Sequence, residues 1–149
     1  MRLRKDTKVS LLANVPLFER CSRRDLAKIA AIAHETDFPP ATAVVSEGDA
    51  GSEMFIVLEG EVDVRRGGRK IATLRKGHFF GEIALITGSA RTATVTTGTP
   101  LRALVISRND FRKLLYDSPT LQRKLLQEVA ERLEQMSVGH AHQRILLRY

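Results

Sequence analysis

The sequence has no tryptophan, only one cysteine, and an aromatic content of 5% over its 149 residues. A single cysteine, Cys21, excludes an internal disulfide and is typical of a reducing compartment. No apolar stretch reaches the roughly 18 to 20 residues that a membrane-spanning helix needs. The opening residues lead into no apolar segment of the kind found in secretory signals. We therefore expect a cytoplasmic protein with no membrane span.

Acidic residues are fewer than basic ones, 17 against 24, which gives a net charge of +7. This balance suits an anionic partner such as nucleic acid, a lipid surface or a phosphate-bearing ligand. Part of the positive charge surrounds a Gly67-Gly68 turn, where six basic residues stand close together: Arg65, Arg66, Arg69, Lys70, Arg75 and Lys76. We interpret this cluster as the solvated tip of a hairpin.

Histidine is too sparse and too scattered for a metal enzyme of the barrel type. His34 and His78 lie far apart, and His140 and His142 fall in a basic tail. A catalytic metal site needs several histidines and a carboxylate that converge from neighbouring strands. The sequence also offers no Ser-His-Asp or Cys-His arrangement. We therefore predict no metal, no cofactor and no enzymatic activity.

The chain reads as helical, then strand-rich, then helical again. Ser22 and Asp25 have the spacing of a capping box and precede an apolar pattern of helical period. An earlier short helix is predicted over residues 8–13. One domain is predicted over residues 1–137, and its parts are helices at 8–35, a β-roll at 36–107 and helices at 108–137. A short basic tail, residues 138–149, follows.

Short β-branched runs separated by glycine-containing turns predict the strands of an antiparallel sandwich or barrel. The predicted strands are Val44-Val45, residues 54–58, Val62 with Val64, residues 71–74, residues 92–97 and residues 101–106. After them, Ser107 and Asp110 again have capping-box spacing, and they open a helix that includes residues 111–116. Together with the helices, these strands predict an α+β fold: an antiparallel β-roll of the jelly-roll type between N-terminal and C-terminal helices.

Ser118 followed by Pro119 predicts the start of the last helix, because serine caps helices well and proline fits the first helical position. An apolar stripe then recurs every three or four residues, as in an amphipathic helix. Its members are Leu121, Leu125, Val129, Leu133 and Met136. The helix is predicted over residues 120–136, with Gly139 as its stop.

The segment 79–95 interrupts the strand pattern where a barrel needs only a turn, and insertions of this size are often functional. Gly81 lets the backbone approach an anion closely. Residues 82–86 can form one helical turn, whose free N–H groups favour an anion. Arg91 offers a fork that matches two phosphate oxygens. Glu82 would repel a phosphate, but its oxygens can accept hydrogen bonds from sugar hydroxyls, so a ligand with one phosphate and a ribose satisfies both.

This segment resembles the phosphate-binding cassette of the cyclic-nucleotide-binding family. The family pattern is Phe-Gly-Glu, an apolar residue, Ala-Leu, five variable residues, Arg, Ser or Thr, and Ala, and residues 80–93 match every position. Residues 48–64 are similar to the family's second signature, a Gly-Asp turn with a further glycine before an apolar strand. The opening helices look like the family's N-terminal bundle, so the resemblance covers roughly residues 11–136.

The resemblance implies a role for individual residues. Glu82 would bind the ribose 2′-hydroxyl, Arg91 the oxygens of the cyclic phosphate, and Gly81 would shape the turn. The backbone N–H groups of Ile83, Ala84, Thr92 and Ala93 are the candidate phosphate donors. Thr92 is also placed to touch the base.

The last helix corresponds to the helix that folds over the base as a lid in the family. Arg132 stands where some channel-associated members place a base-capping arginine, which can stack on a purine. Its alternative role is an exposed helix arginine paired with Glu128.

The expected function is therefore reversible sensing of a cyclic nucleotide, cAMP in preference to cGMP, by closure of the C-terminal helix over the ligand. An effector protein or a second copy of the chain is an expected partner. The residues after Met136 are too few for a helix-turn-helix, so no DNA-binding module is expected. Two alternatives stay open: a domain of the same fold that serves as a protein-interaction scaffold, and a nucleic-acid binder that uses the positive charge.

Overall fold

The structure is a computed structural model that describes residues 2–138 and Tyr149, with the side chains at 132, 133 and 135–138 excepted. The chain divides into two compact units. One comprises the residues before Ala33 and those after Arg108, and the other comprises Ala33–Arg108 together with Tyr149. The extent of the domain, residues 1–137, stays a prediction.

The helical unit contains α1 (Lys5–Ala13), a 3₁₀ turn (Pro16–Phe18), α2 (Arg23–Ala31), α4 (Arg108–Asp117) and α5 (Pro119–Val138). The predicted capping box is present: the Asp25 N–H donates to Ser22 Oγ at 3.1 Å and the Ser22 N–H donates to the Asp25 carboxylate at 2.9 Å. Helix α1 begins three residues earlier than the predicted residue 8. Phe18 and Phe111 pack in the core of this unit, with ring centroids 6.0 Å apart.

A nearly buried ion pair links α2 to α5 within the helical unit. Lys124 Nζ lies 2.6 Å from the Asp25 carboxylate. Burial acts to raise the pKa of Asp25, but hydrogen bonds from Lys124 and Ser22 outweigh it and lower that pKa. The ion pair therefore favours the folded state at neutral pH, and its contribution is lost only as the pH falls through the depressed pKa.

The strand unit consists of two four-stranded sheets. The strands are β1 (Ala33–Phe38), β2 (Ala43–Val45), β3 (Glu53–Glu59), β4 (Val62–Arg66), β5 (Arg69–Leu74), β6 (Phe79–Phe80), β7 (Thr94–Thr97) and β8 (Leu101–Ser107). One sheet has the order β1-β8-β3-β6 and the other β2-β7-β4-β5, and every paired strand is antiparallel. Buried residues of both sheets, among them Phe55, Phe80, Val64 and Val95, form one core cluster. The predicted α+β fold with an antiparallel roll is confirmed.

Strands β1 and β6 were not predicted as strands, and β7 begins later than predicted. The helices were expected to reach residue 35, but α2 ends at Ala31 and β1 runs from Ala33 along β8. Only Ala33 of this edge strand is buried, so the strand shows no apolar alternation. Its pairing with β8 overrides the helix-forming residues at its start. Strand β7 begins at Thr94 and not at residue 92; before it, Arg91 bonds to the loop between β2 and β3, and the Thr92 carbonyl accepts from the Arg66 side chain.

The cassette segment, residues 79–95, contains β6 and a short helix, α3 (Ala84–Thr87). Strand β6 has only two residues, and it pairs Phe80 with Phe55 of β3. Their rings stack with centroids 4.8 Å apart. This contact anchors the start of the cassette to the roll core, directly before Gly81.

Candidate ligand-binding site

Gly81 turns the chain from β6 into the cassette with a φ of +80°. A Cβ built on this glycine would lie 2.6 Å from Arg91 Nη1 and 2.7 Å from the Glu53 carbonyl oxygen. Both the left-handed conformation and the close approach therefore require glycine. The contact also places the Arg91 guanidinium against the residue that directly precedes Glu82.

The helical turn of the cassette is shifted relative to the prediction over residues 82–86. Helix α3 covers Ala84–Thr87, and its capping residue is Ile83. The Ala84 N–H donates to the Gly81 carbonyl at 3.1 Å. Ala84, predicted as a phosphate donor, thus has its N–H engaged within the turn, because the chain closes a tight turn directly after Gly81.

The second half of the cassette is bonded to the loop between β2 and β3. The Arg91 N–H donates to the Asp49 carbonyl at 2.7 Å, and the Arg91 carbonyl accepts from the Gly48 N–H at 2.9 Å. The Gly51 N–H donates to the Ser89 carbonyl at 3.0 Å. The two sequence signatures therefore meet in space, and the glycine-containing loop holds the backbone of Arg91.

Arg91 is a buried cation. Only 8% of its surface is exposed, and within the described part of the chain its Nη1 has no hydrogen-bond partner. Burial lowers the pKa of Arg91, while the nearby Glu53 raises it. The guanidinium stays charged at neutral pH because its pKa starts so high. Its Cζ lies 5.9 Å from the centroid of the Phe55 ring, which gives it an aromatic support.

Glu82 is the second buried charged residue of the cassette, with 4% of its surface exposed. Ala84 and Ala93 are also buried, Ile83 is half-buried and Thr92 is exposed. The structure thus brings Gly81, Glu82 and Arg91 into one small region at the wall of the roll. The side chain of Arg132, the predicted base-capping residue, lies outside the described residues, as does Gly139.

Tyr149 also contacts the cassette. Its backbone oxygen accepts a hydrogen bond from the Gly81 N–H at 3.1 Å, and its side chain packs against the core cluster of the roll. Sequence patterns gave no indication of this contact, because residues 138–149 carry no motif. The consequence is that the Gly81 N–H already has an acceptor in this structure.

Arg66, assigned from the sequence to a solvated hairpin tip, contacts the cassette as well. Its Nε donates to the Thr92 carbonyl at 2.9 Å. Next to it, the Gly67 N–H donates to the Glu47 carboxylate at 3.0 Å. The sequence separation of Arg66 and Thr92 follows no local period, so only the pairing of β4 with β7 could have shown that they meet.

Other kinds of site find no support among the described residues. There, no three His, Cys, Asp or Glu side chains are grouped so that they could hold a metal ion. Within that same part of the chain, no helix is both long and apolar enough to cross a membrane. Burial raises the pKa of the Cys21 thiol to about 11, so it is not a thiolate at neutral pH.

The residues that build this site lie inside the match to a protein-family model. The model describes the cyclic nucleotide-binding domain and matches residues 35–118. The chain belongs to the cyclic nucleotide-binding domain family. Its expected membership, predicted from residues 48–64 and 80–93, is confirmed.

Curated relatives of this cyclic nucleotide-binding domain include regulatory subunits and channels. It is 39% identical, over 70% of its own length, to a cAMP-dependent protein kinase regulatory subunit of Mycosarcoma maydis. It is 35% identical, over 83% of its length, to a putative potassium channel protein of Rhodopseudomonas palustris. The matched regions span 22% and 31% of these two relatives.

A solved structure shares the fold. The N-terminal domain of a transcriptional regulator from Streptomyces coelicolor A3(2) superposes with a TM-score of 0.77 and 27% sequence identity. The match covers 85% of this chain and 92% of that one. Both the helices and the roll of the domain thus have a counterpart of known structure.

Proposed function

We propose that this domain is a reversible sensor of a cyclic purine nucleotide in the cytoplasm, with cAMP preferred to cGMP, and not an enzyme. The observation that carries the proposal is the buried Arg91 guanidinium, whose Nη1 lacks a hydrogen-bond partner among the described residues. A buried charge without full compensation is unfavourable. An anion that binds beside Gly81 would supply the missing acceptor, and a singly charged cyclic phosphate matches the single arginine.

Glu82 supports a nucleotide in preference to a simple phosphate. A buried carboxylate cannot accept a hydrogen bond from the unprotonated oxygens of a cyclic phosphate, but it can accept one from the free 2′-hydroxyl of the ribose. A ligand that joins one negative charge to a ribose matches Arg91 through its phosphate and Glu82 through its hydroxyl. The family and the cAMP-dependent relatives make the cyclic phosphate the best candidate.

Binding calorimetry with cAMP, cGMP and non-cyclic AMP tests the proposal. We expect cAMP to bind most tightly and cGMP more weakly, and AMP to bind poorly because residues 79–95 contain a single cationic side chain, Arg91, to balance its two phosphate charges. If neither cyclic nucleotide binds, the domain is no nucleotide sensor, and a protein-interaction scaffold of the same fold takes its place. Polyanion binding that survives Arg91→Ala and falls steeply with salt would instead indicate a nucleic-acid binder.

We further propose that the ligand shifts helix α5 onto the base, with Arg132 above the purine. A ligand can drive such a change only through its difference in affinity for the two states. A shift from mostly open to mostly closed takes about 5 kcal/mol of that difference. The relevant output partner would be an effector protein or a second copy of the chain.

Spin labels provide the measurement of this closure. In a Cys21→Ser background, one label replaces Arg69 on the roll and the other Glu134 on α5, since both side chains are exposed. We expect saturating cAMP to move the distance distribution to shorter values, and AMP to leave it in place. An identical distance distribution with and without bound cAMP would refute the proposed closure of α5 but would not contradict the proposed binding site.

A further inference from the structure

The β4–β5 hairpin is bonded directly to the cassette through Arg66 and indirectly, through Glu47 of the β2–β3 loop, to β7. Arg66 Nε donates to the Thr92 carbonyl at 2.9 Å. The neighbouring Gly67 N–H donates to Glu47 Oε1 at 3.0 Å, and the Glu47 N–H donates to Thr94 Oγ1 at 2.9 Å. Glu47 thus connects the hairpin tip to Thr94, the first residue of β7, two residues after Thr92.

These bonds act on the peptide groups that follow Arg91. In the described residues no peptide bond is cis, and in a trans peptide the carbonyl and the N–H point in opposite directions. The Arg91 carbonyl is held by Gly48, so the Thr92 N–H points away from the β2–β3 loop. The Thr92 carbonyl is held by Arg66, so the Ala93 N–H points away from the hairpin. Both N–H groups belong to the candidate phosphate donors.

We propose that Arg66 is a positioning residue of the ligand-binding site: its guanidinium fixes the Thr92–Ala93 peptide so that the amide N–H is oriented toward the ligand phosphate before the ligand arrives. The inference rests on the proposed cyclic-nucleotide function. Arg66 itself acts through the peptide and does not need to touch the ligand. A donor that is oriented in advance loses less entropy on binding, so it raises affinity without a new contact.

The exposed position of Arg66 makes the inference testable without loss of the fold. We expect Arg66→Ala to weaken cAMP binding about fivefold to tenfold, the scale of one lost hydrogen bond. Arg65→Ala and Arg69→Ala are matched controls, since each removes the same charge from the same hairpin. If either control weakens binding as much as Arg66→Ala does, the effect is long-range charge and the inference is wrong.

Glu47 provides a test by sign. Charge alone predicts that Glu47→Ala tightens the binding of an anionic ligand, because it removes a negative charge. Its role in holding the hairpin predicts the opposite, a weakening of twofold or more. Tighter binding by Glu47→Ala would contradict the positioning role.

Phosphorothioate analogues of cAMP separate positioning from a general loss of structure. Each of the two diastereomers replaces one exocyclic phosphate oxygen by sulfur, a poorer acceptor. We expect the penalty of Arg66→Ala to shrink for the diastereomer whose replaced oxygen faces the Ala93 N–H and to persist for the other. An equal penalty for both would overturn the inference. A wild-type domain that binds no cyclic nucleotide would refute the proposed function instead, so the two failures are distinguishable.

Discussion

Replacing Arg91 with alanine is expected to weaken cAMP binding by at least about thirtyfold, because truncating one partner of a buried, hydrogen-bonded charge pair costs on the order of 2 to 5 kcal/mol. The ligand phosphate would enter a site where only 8% of this residue's surface reaches water, so solvent would not replace the lost cation. Calorimetry of the variant against the wild type measures the effect.

Arg91→Lys refines this result. Lysine keeps the charge but loses the planar fork that contacts two phosphate oxygens. We therefore expect an affinity between those of the wild type and Arg91→Ala. Arg112→Ala, at an exposed position of α4, serves as the control that removes an equal charge elsewhere. Arg91→Ala that binds cAMP as the wild type does would remove the basis of the proposed function.

In the ligand-free domain, replacing Arg91 with an apolar residue is expected to leave the stability of the fold unchanged or to raise it. The Arg91 Nη1 is buried and without a hydrogen-bond partner in the described residues, which is unfavourable in the empty domain. An apolar side chain of similar length avoids that penalty. Arg91→Met should therefore melt at the same temperature as the ligand-free wild type or higher, while it no longer gains stability from cAMP. A markedly lower melting temperature would show that Arg91 serves the fold more than the ligand.

Glu82 and the ribose 2′-hydroxyl are expected to be energetically coupled. Glu82→Ala should weaken cAMP binding about tenfold to a hundredfold, the scale of a hydrogen bond to a charged group. The wild-type domain should bind 2′-deoxy-cAMP more weakly than cAMP by a similar factor, because the buried carboxylate of Glu82 then has no ribose hydroxyl to bind. If the two groups bind each other, the variant should bind cAMP and 2′-deoxy-cAMP almost equally.

A double-mutant cycle measures this coupling directly. Four dissociation constants, for wild type and Glu82→Ala with each of the two ligands, give the coupling free energy. Glu19→Ala is the control, since Glu19 is an exposed carboxylate of the helical unit. If the losses of binding free energy from Glu82→Ala and from the missing 2′-hydroxyl are additive, the two groups do not bind each other. Glu82 would then serve the structure of the domain and not the recognition of the ribose.

Features with a local cause were predictable from the sequence. The capping box of Ser22 and Asp25 involves atoms three residues apart, so its residue types alone predict the start of α2. The apolar strand at 54–58 and the Gly67-Gly68 hairpin likewise depend on neighbours in sequence, and both are present. The family also followed from motifs at fixed spacing. The roles of Glu82 and Arg91 stay predictions that only a ligand can test.

Features with a distant partner were not predictable. Strand β1 is half exposed and depends on β8, about seventy residues later in the chain. Strand β6 is too short to show a period, and it forms because Phe80 stacks on Phe55. The engaged N–H group of Gly81 and the bond from Arg66 to Thr92 likewise depend on how the segments meet.

The sequence by itself thus determined the family, the succession of helical and strand-rich regions and the two charged residues worth testing, because capping, turn formation and residue spacing act over a few neighbouring positions. Only the tertiary structure decided which groups hold Arg91, Thr92 and Gly81 in place. The contacts of Arg91 and Thr92 arise when the β2–β3 loop lies beside the cassette and β4 lies beside β7, and that of Gly81 arises when Tyr149 reaches the roll. Such pairings join residues whose separation along the chain carries no local signal.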